Sequence, residues 1–501
     1  MLPILLIHGY SGELSTSTDG SADYVDAKAD LSDVSHFSDP IYGSLPQDLA
    51  NIFGSEGVKY LNLSRWISMN DGIALDDVSF ALDRALSSAF PQLLVGGFNV
   101  IVHSTGSLVI RNWIRLFSPK PCPIVNLVHL AGPHFGSGLA HIGRGQLVRW
   151  GRMLQGSGCG VRILNELEFG AWKTLDLHGH FLLPGQSMVS DYRVQEYCIA
   201  GSQTLAALRA LPIRYVKEDS SDNTVRTSAS NLNYNYLSIR PAIETARLSA
   251  GKVKKMMASQ LNNDALSDQH YVVEEGGLAA RRPPVPFCVA YETAHFGKEM
   301  GIVQGMKNRR EVLPLIKAAL ETPANESAYE NAWQVFSSRQ AKTFERIAKR
   351  RVRDENWDKL QQYEAHSQLI FRLRDQFGQA ITDFDINIRS LSRRGKHRLE
   401  SLIEDKHLNT HDGGTLTFYL RTQRFDKQRA SWKDLLHNVV AAEIEVNAYE
   451  EGTDDIIYVP LSLKLTPAKI RAYIQNFRTT IVDITLLRVP GSKVLRIKAM
   501  A

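Results

Sequence analysis

An apolar, β-branched run, Asn99-Val100-Ile101-Val102-His103, stops on Ser104, and the chain turns at once into Leu108, Val109, Ile110, Trp113, Ile114 and Leu116 at helical spacing. A strand that ends on a serine and re-enters the fold as a helix is a nucleophile elbow. The tight turn lifts the hydroxyl above the sheet edge, and the positive end of the helix dipole points at whatever reacts there. The usual pattern is G-x-S-x-G, whereas this chain reads Val102-His103-Ser104-Thr105-Gly106. Positions two before and two after the serine approach closely across such a turn, so Val102 has to be accommodated by Gly106. The competing reading is a buried strand followed by a serine-capped helix. What stands elsewhere in the chain decides between them.

A chain of 501 residues is too long for one ordinary core, so at least two domains are expected. With 44% hydrophobic and 22% charged residues the composition is globular, and its apolar runs fall short of a bilayer span. The opening run, Pro3-Ile4-Leu5-Leu6-Ile7, lacks a basic region before it and a small-residue cleavage site after it, so it reads as a strand rather than a signal peptide. Synthesis in the cytoplasm is expected, with export by a dedicated secretion machine left open. Cys122, Cys159, Cys198 and Cys288 are scattered without a C-x-x-C pair, which favours buried free thiols over a disulfide framework or a zinc site. Charge is uneven: from Met306 on, 33 Lys and Arg face 25 Asp and Glu, against 25 and 28 before it.

Strand and helix signals alternate along the first part, which implies a parallel sheet covered on both faces. The first strand ends in His8-Gly9-Tyr10, where a backbone N–H just past the glycine suits an oxyanion hole, with the N–H of Thr105 as second donor. Residues 11–44 are rich in Ser, Thr, Asp and Gly and read as a long loop. After the strand 125–130 comes the glycine-rich turn Gly132-Pro133-His134-Phe135-Gly136-Ser137-Gly138. It opens into 139–154, where Ile142, Leu147, Trp150, Met153 and Leu154 interleave with Arg144, Arg149 and Arg152. That segment suits a mobile lid over an acyl pocket, or else a helix packed permanently on the sheet. A strand at 195–200 precedes the polar loop Asp219-Ser220-Ser221-Asp222-Asn223-Thr224, and a last strand at 286–291 leads into His295. Residues 246–282, dense in charge, read as an insertion or surface helix.

Two charged helices, 310–320 and 328–352, are expected as a spacer, and from about Gln368 the period changes to two. About seven strands separated by Gly, Asp and Asn turns predict an antiparallel β-sandwich. The expected division is therefore an α/β domain over 1–305, a helical spacer over 306–365 and a sandwich over 366–501.

In Leu6-Ile7-His8-Gly9, Val102-His103-Ser104-Thr105-Gly106, Leu130-Ala131-Gly132-Pro133-His134-Phe135-Gly136-Ser137, Ser221-Asp222-Asn223-Thr224-Val225-Arg226 and His295-Phe296-Gly297, the chain resembles the α/β-hydrolase lipase/esterase class. Within it, GPI-inositol-deacylase-type and bacterial phospholipase-type hydrolases are the broad likeness. The resemblance spans 1 to about 305 and implies a Ser–Asp–His order for the catalytic residues. The layout with a C-terminal sandwich is similar to that of lipases carrying a C2- or PLAT-like domain.

On this reading Ser104 is the nucleophile, His295 the general base and Asp222 the acid that orients the imidazole, with Tyr10 and Thr105 as oxyanion donors. Glu218 and Asp219 compete for the acid's role, and His178, His180 and His270 for the base's. His103 and His134 read as positioning or packing residues. Acyl esters or phospholipids are the expected substrates; an amidase, a thioesterase or a non-catalytic lipid- or protein-binding module are the alternatives. No cofactor and no metal are expected, since H-E-x-x-H, EF-hand and phosphate-cradling glycine motifs are absent, as are nucleic-acid motifs. A calcium site at Asp383, Asp385 and Asp412 is the weakest of the signals. The C-terminal domain, with Arg393, Arg394 and Lys396, is expected to touch a membrane surface or a protein partner.

Overall fold

The structure is a computed structural model that describes residues 2–8, 42–63, 66–68, 70–141, 160–204, 215, 218–242, 249, 251, 252, 255, 270–353, 361–391, 398–453 and 455–491. It divides into two compact units. The first holds 1–233, 281–364 and 427–431, the second 234–280, 365–426 and 432–501.

The first unit is built on strands β1 (Ile4–His8), β2 (Val58–Asn62), β3 (Phe98–His103), β4 (Ile124–Leu130) and β5 (Gln195–Ala200). The hairpin strands β6 (Asn235–Pro241) and β7 (Tyr271–Gly276) lie in the second unit, and β8 (Phe287–Val289) returns to the first. The sheet order is β2-β1-β3-β4-β5-β8, parallel throughout. Because side chains alternate across a strand, each strand feeds two cores. Leu5, Ile7, Val100 and Val102 join one with the helices Leu75–Ala89 and Gly106–Leu116. Ile4, Leu6, Ile101 and Val128 join the other with the helices Leu45–Phe53, Arg309–Leu320 and Glu326–Arg353.

The last two of those helices are the ones that read as a spacer. Val312, Leu315, Ile316, Ala319, Tyr329, Ala332 and Phe336 are buried against the sheet, so they form its second cover. Fully burying one such side chain is worth roughly 1.5–3 kcal/mol.

In the second unit one sheet has the order β11-β12-β9-β18-β6-β7 and another β10-β15-β17, with β9 His366–Asp375, β10 Asp383–Ser390, β11 Ile403–Leu408, β12 Thr415–Arg421, β15 Ala442–Tyr449, β17 Leu461–Leu465 and β18 Thr479–Leu486. Two further two-stranded pairs are β13 (Gln423–Asp426) with β14 (Ser431–Asp434) and β16 (Ile456–Tyr458) with β19 (Arg488–Pro490). Leu237, Phe371, Phe418 and Ile484 of the first sheet share one apolar core with Ile388, Ile444 and Leu463 of the second. The sandwich is mixed rather than antiparallel. β18 pairs parallel with both β6 and β9, and the helix Pro467–Tyr473 supplies the crossover that brings it into the sheet. The stretch 246–282, read as an insertion, thus includes a strand that pairs with β6 in this sheet.

Under the helix Gly106–Leu116 lies a buried polar cluster. Arg111 donates to Glu196, and Glu196 also contacts Nε2 of His129 at 3.2 Å. His134 and His178 lie ring to ring with centroids 5.7 Å apart, and Nε2 of His178 bonds the carbonyl of His134 at 2.6 Å. Burial alone would push the Glu196 carboxyl up, but the Arg111 guanidinium and the His129 ring hold it down at about 2. Burial, with the neighbouring rings and Arg111, holds His134 and His178 well below the usual imidazole range.

Unfolded, these two histidines take up protons near pH 6.5; folded, they stay neutral. Their contribution to stability is therefore complete above about pH 6.5. Below that it falls by roughly 1.4 kcal/mol per pH unit for each histidine. Glu196 adds a second loss only as pH drops from about 4.5 toward 2. Urea unfolding should then lose about 3–4 kcal/mol between pH 6.5 and 5, with a shallower slope in His178→Gln. Equal stability at pH 7 and 5 would contradict this account.

Candidate active site

Ser104 has φ 51°, the left-handed conformation that a non-glycine residue adopts at a sharp strand-to-helix turn. Two bonds fix the turn: Ser104 N–H donates to the Leu130 carbonyl at 3.0 Å, and Ser107 N–H to the Ser104 carbonyl at 3.0 Å. Val102 is fully buried, so the missing leading glycine does not prevent the elbow from forming. Thr105 caps the helix Gly106–Leu116, and its N–H belongs to the first turn, whose donors have no acceptor within the helix.

His295 comes from the loop after β8. Its Nε2 stands 3.1 Å from Ser104 Oγ and its Nδ1 2.8 Å from Asp222 Oδ2. Asp222 sits in a turn whose residues Ser220 and Asn223 have φ 55° and 81°. Its other oxygen, Oδ1, accepts the N–H groups of Val225 at 2.8 Å and Thr224 at 3.1 Å, so one oxygen anchors the carboxylate while the other meets the imidazole. The backbone repeats the link, with His295 N–H donating to the Asp222 carbonyl at 3.2 Å. Rings close the remaining sides: His103 lies 4.8 Å and Phe296 4.4 Å from the His295 ring, centroid to centroid. His295 and Asp222 are each 1% exposed, which strengthens the electrostatics between them.

The competitors are placed elsewhere. Glu218 takes a bidentate pair with Arg226, at 2.9 and 2.5 Å, and the guanidinium lies over the Phe169 ring at 3.9 Å. His178 bonds the His134 carbonyl, His180 lies edge-on to Phe181, and His270 belongs to the second unit. Asp219 is not the partner of His295, whose Nδ1 meets Asp222. The glycine-rich turn is tied to the acid's turn through Ser137 Oγ, which donates to the Thr224 carbonyl at 2.5 Å. Tyr10, the lid segment from 142 to 154, and Arg393, Arg394 and Lys396 fall outside the described residues. Among the described residues no group of three His, Cys, Asp or Glu side chains is placed to hold a metal ion, Asp383, Asp385 and Asp412 included. Cys122, Cys198 and Cys288 are buried free thiols, while Cys159 is outside the described set.

Solved structures share this fold. Phospholipase PlaB from Legionella pneumophila superposes with a TM-score of 0.72 at 20% identity, covering 100% of this chain and 97% of that one. The chain has that fold over its whole length. A structure of the same phospholipase in complex with thio-NAD matches equally, with TM-score 0.72, 20% identity and the same coverage. The mature Bacillus licheniformis lipase BlEst2 matches over 46% of this chain and 79% of its own at 16% identity, with a TM-score of 0.29. No protein-family model matches the chain, and no curated protein matches it significantly. The fold is an α/β-hydrolase fold followed by a β-rich C-terminal part.

Sequence reasoning passed over Gly201, the residue after β5. A Cβ there would collide with the Thr293 carbonyl oxygen and stand 3.2 Å from Cβ of Asp222, so only glycine lets the turn of Asp222 and the loop of His295 come together. The usable signal was a glycine directly after a buried strand. Gly201→Ala should cut turnover of a chromogenic short-chain ester by about a hundredfold, the scale expected for roughly 1 Å of misplacement. Gly179→Ala, where nothing lies within 4 Å of the added carbon, should leave turnover unchanged. Equal activity in both variants would show that the close approach at Gly201 is unimportant.

Proposed function

We propose that this chain is a serine-dependent hydrolase of carboxylic esters, lipase- or phospholipase-like. The observation that carries the reading is the continuous line from Asp222 Oδ2 through both nitrogens of His295 to Ser104 Oγ, at 2.8 and 3.1 Å. It supports a sequence of steps in which every proton has a place to go. His295 Nε2 takes the Ser104 proton as Oγ adds to the ester carbonyl. Asp222 accepts the Nδ1–H, which fixes the tautomer and stabilises the imidazolium. The oxyanion meets the N–H of Thr105 and, in the proposed hole, that of Tyr10, donors worth about 3 kcal/mol each in comparable sites. The imidazolium returns its proton to the leaving alkoxide as the C–O bond breaks. Water, deprotonated by the same ring, then releases the acid from Ser104.

Lipid substrates are the proposal that agrees with the fold shared with a phospholipase. We assign the C-terminal β-rich part to binding rather than chemistry, because it supplies none of the reacting groups and the chain's positive excess lies from Met306 on. That assignment includes contact with an anionic lipid surface.

Ser104→Ala should retain the circular dichroism spectrum and melting behaviour of the parent while losing at least a thousandfold in ester turnover. Assay on matched ester, thioester and amide substrates, including diacyl and lysophospholipids, separates the bond classes. Undiminished turnover in Ser104→Ala would refute the reading, and preference for the amide over the ester would replace it.

A further inference from the structure

Away from Ser104, behind the loop that carries His295, lies a cavity of about 130 Å³. Its floor is the end of β8, with the Cys288 side chain and Ala290; Glu311 and Leu315 come from the helix Arg309–Leu320. Its roof is one face of the helix Glu326–Arg353, where Arg339, Lys342 and Arg346 recur at i, i+3 and i+7. Three cations thus face a single carboxylate. Glu311 is committed to Arg346 at 2.8 Å, and the Arg346 guanidinium lies over the Tyr291 ring at 3.7 Å. Neither Arg339 nor Lys342 pairs with a carboxylate among the described residues. Burial keeps the Cys288 thiol neutral, so the floor offers no negative charge of its own.

Two cations without a salt bridge among the described residues, of which Lys342 also acts on the Glu345 carboxylate from a distance, attract an anion, and apolar walls strengthen the attraction. The volume is well below the several hundred Å³ of an ordinary organic ligand's pocket, which limits the buried part to a single oxyanion group. From this cavity a shallow groove of about 410 Å³ continues past Arg339 and Lys342 along Asn331, Gln334 and Ser338. Those side chains offer hydrogen bonds to hydroxyl groups.

We propose that the cavity binds a phosphate monoester, its phosphate seated among Arg339, Lys342 and Arg346 and its hydroxylated ester group lying in the groove. Two guanidinium forks and an ammonium suit a dianionic tetrahedral group. An occupant drawn to Arg346 competes with Glu311 for that guanidinium, and so bears on Tyr291 and the chain leading to His295. On the same stretch, Glu292 has φ 46°, is paired with Arg350 and donates its N–H to Tyr363 Oη at 2.9 Å. That consequence for His295 rests on the hydrolase reading; occupancy of the cavity does not.

The test is isothermal titration of the full-length protein at fixed ionic strength with glycerol 3-phosphate, and flotation with vesicles that carry phosphatidic acid. Saturable binding is expected for at least one of these, weakened tenfold or more in Arg339→Gln/Lys342→Gln and unchanged in Arg310→Gln/Lys317→Gln, which removes two cations of the neighbouring helix. Binding of the soluble ester alone identifies a free phosphate monoester, and capture by vesicles alone identifies a lipid headgroup. No binding in either arm, or equal weakening in both double variants, overturns the proposal. Because calorimetry needs no turnover, an inactive enzyme that binds phosphate and an active one that does not are told apart. A melting curve of each variant without ligand shows that these partly exposed substitutions leave the fold intact.

Discussion

The imidazole of His295 is held at both nitrogens, and its two partners come from different parts of the chain. Ser104 arrives from the end of β3, Asp222 from the turn after β5, and His295 itself from the loop after β8. A parallel sheet makes this possible, because its strands all end on one edge and side chains distant in sequence meet there. The arrangement tolerates little error. Left-handed backbone at Ser104, Ser220, Asn223 and Glu292 stores strain at the turns that deliver these groups, and the bonds around each turn hold it in place.

Beneath that edge the interior holds a buried polar cluster. Arg111 and Glu196 are buried together, and His129, His134 and His178 surround them without carrying charge of their own. A buried pair is a poor source of stability but a strict one, since removing either partner strands the other's charge and costs roughly 3–5 kcal/mol. Arg111 lies in the helix that follows Ser104 and Glu196 in β5, so the pair fixes that helix against the strand that leads toward Asp222. Gly132 belongs to the same design. A Cβ there would meet Ser107 Oγ at 2.5 Å and His134 Nε2 at 2.9 Å.

Much of the α/β part was legible because its signals are local. Apolar runs, helical spacing and a serine at a strand end each report within about ten residues, and β5 falls on 195–200 as its run of apolar residues implies. That Asp222 rather than Glu218 would meet His295 could be expected only from order along the chain, since nothing local separates the two carboxylates. The difference is made by Arg226, which pairs with Glu218. What escaped was long-range. The strand 235–241 pairs with 479–486 across more than two hundred residues, and no local pattern announces a parallel partner so distant. The helices at 309–320 and 326–353 looked like a solvated spacer because their charged residues outnumber the apolar stripe, yet that stripe, Val312 to Phe336, is what covers the sheet.

In the proposed reaction Ser104 becomes a covalent nucleophile only through His295. The most direct measurement of that dependence is peptide mapping by mass spectrometry after brief exposure of the folded protein to a fluorophosphonate. The account predicts one adduct, on Ser104, and its loss in a His295→Ala variant that still folds. An adduct on another serine, or equal labelling of Ser104 without the imidazole, would contradict it.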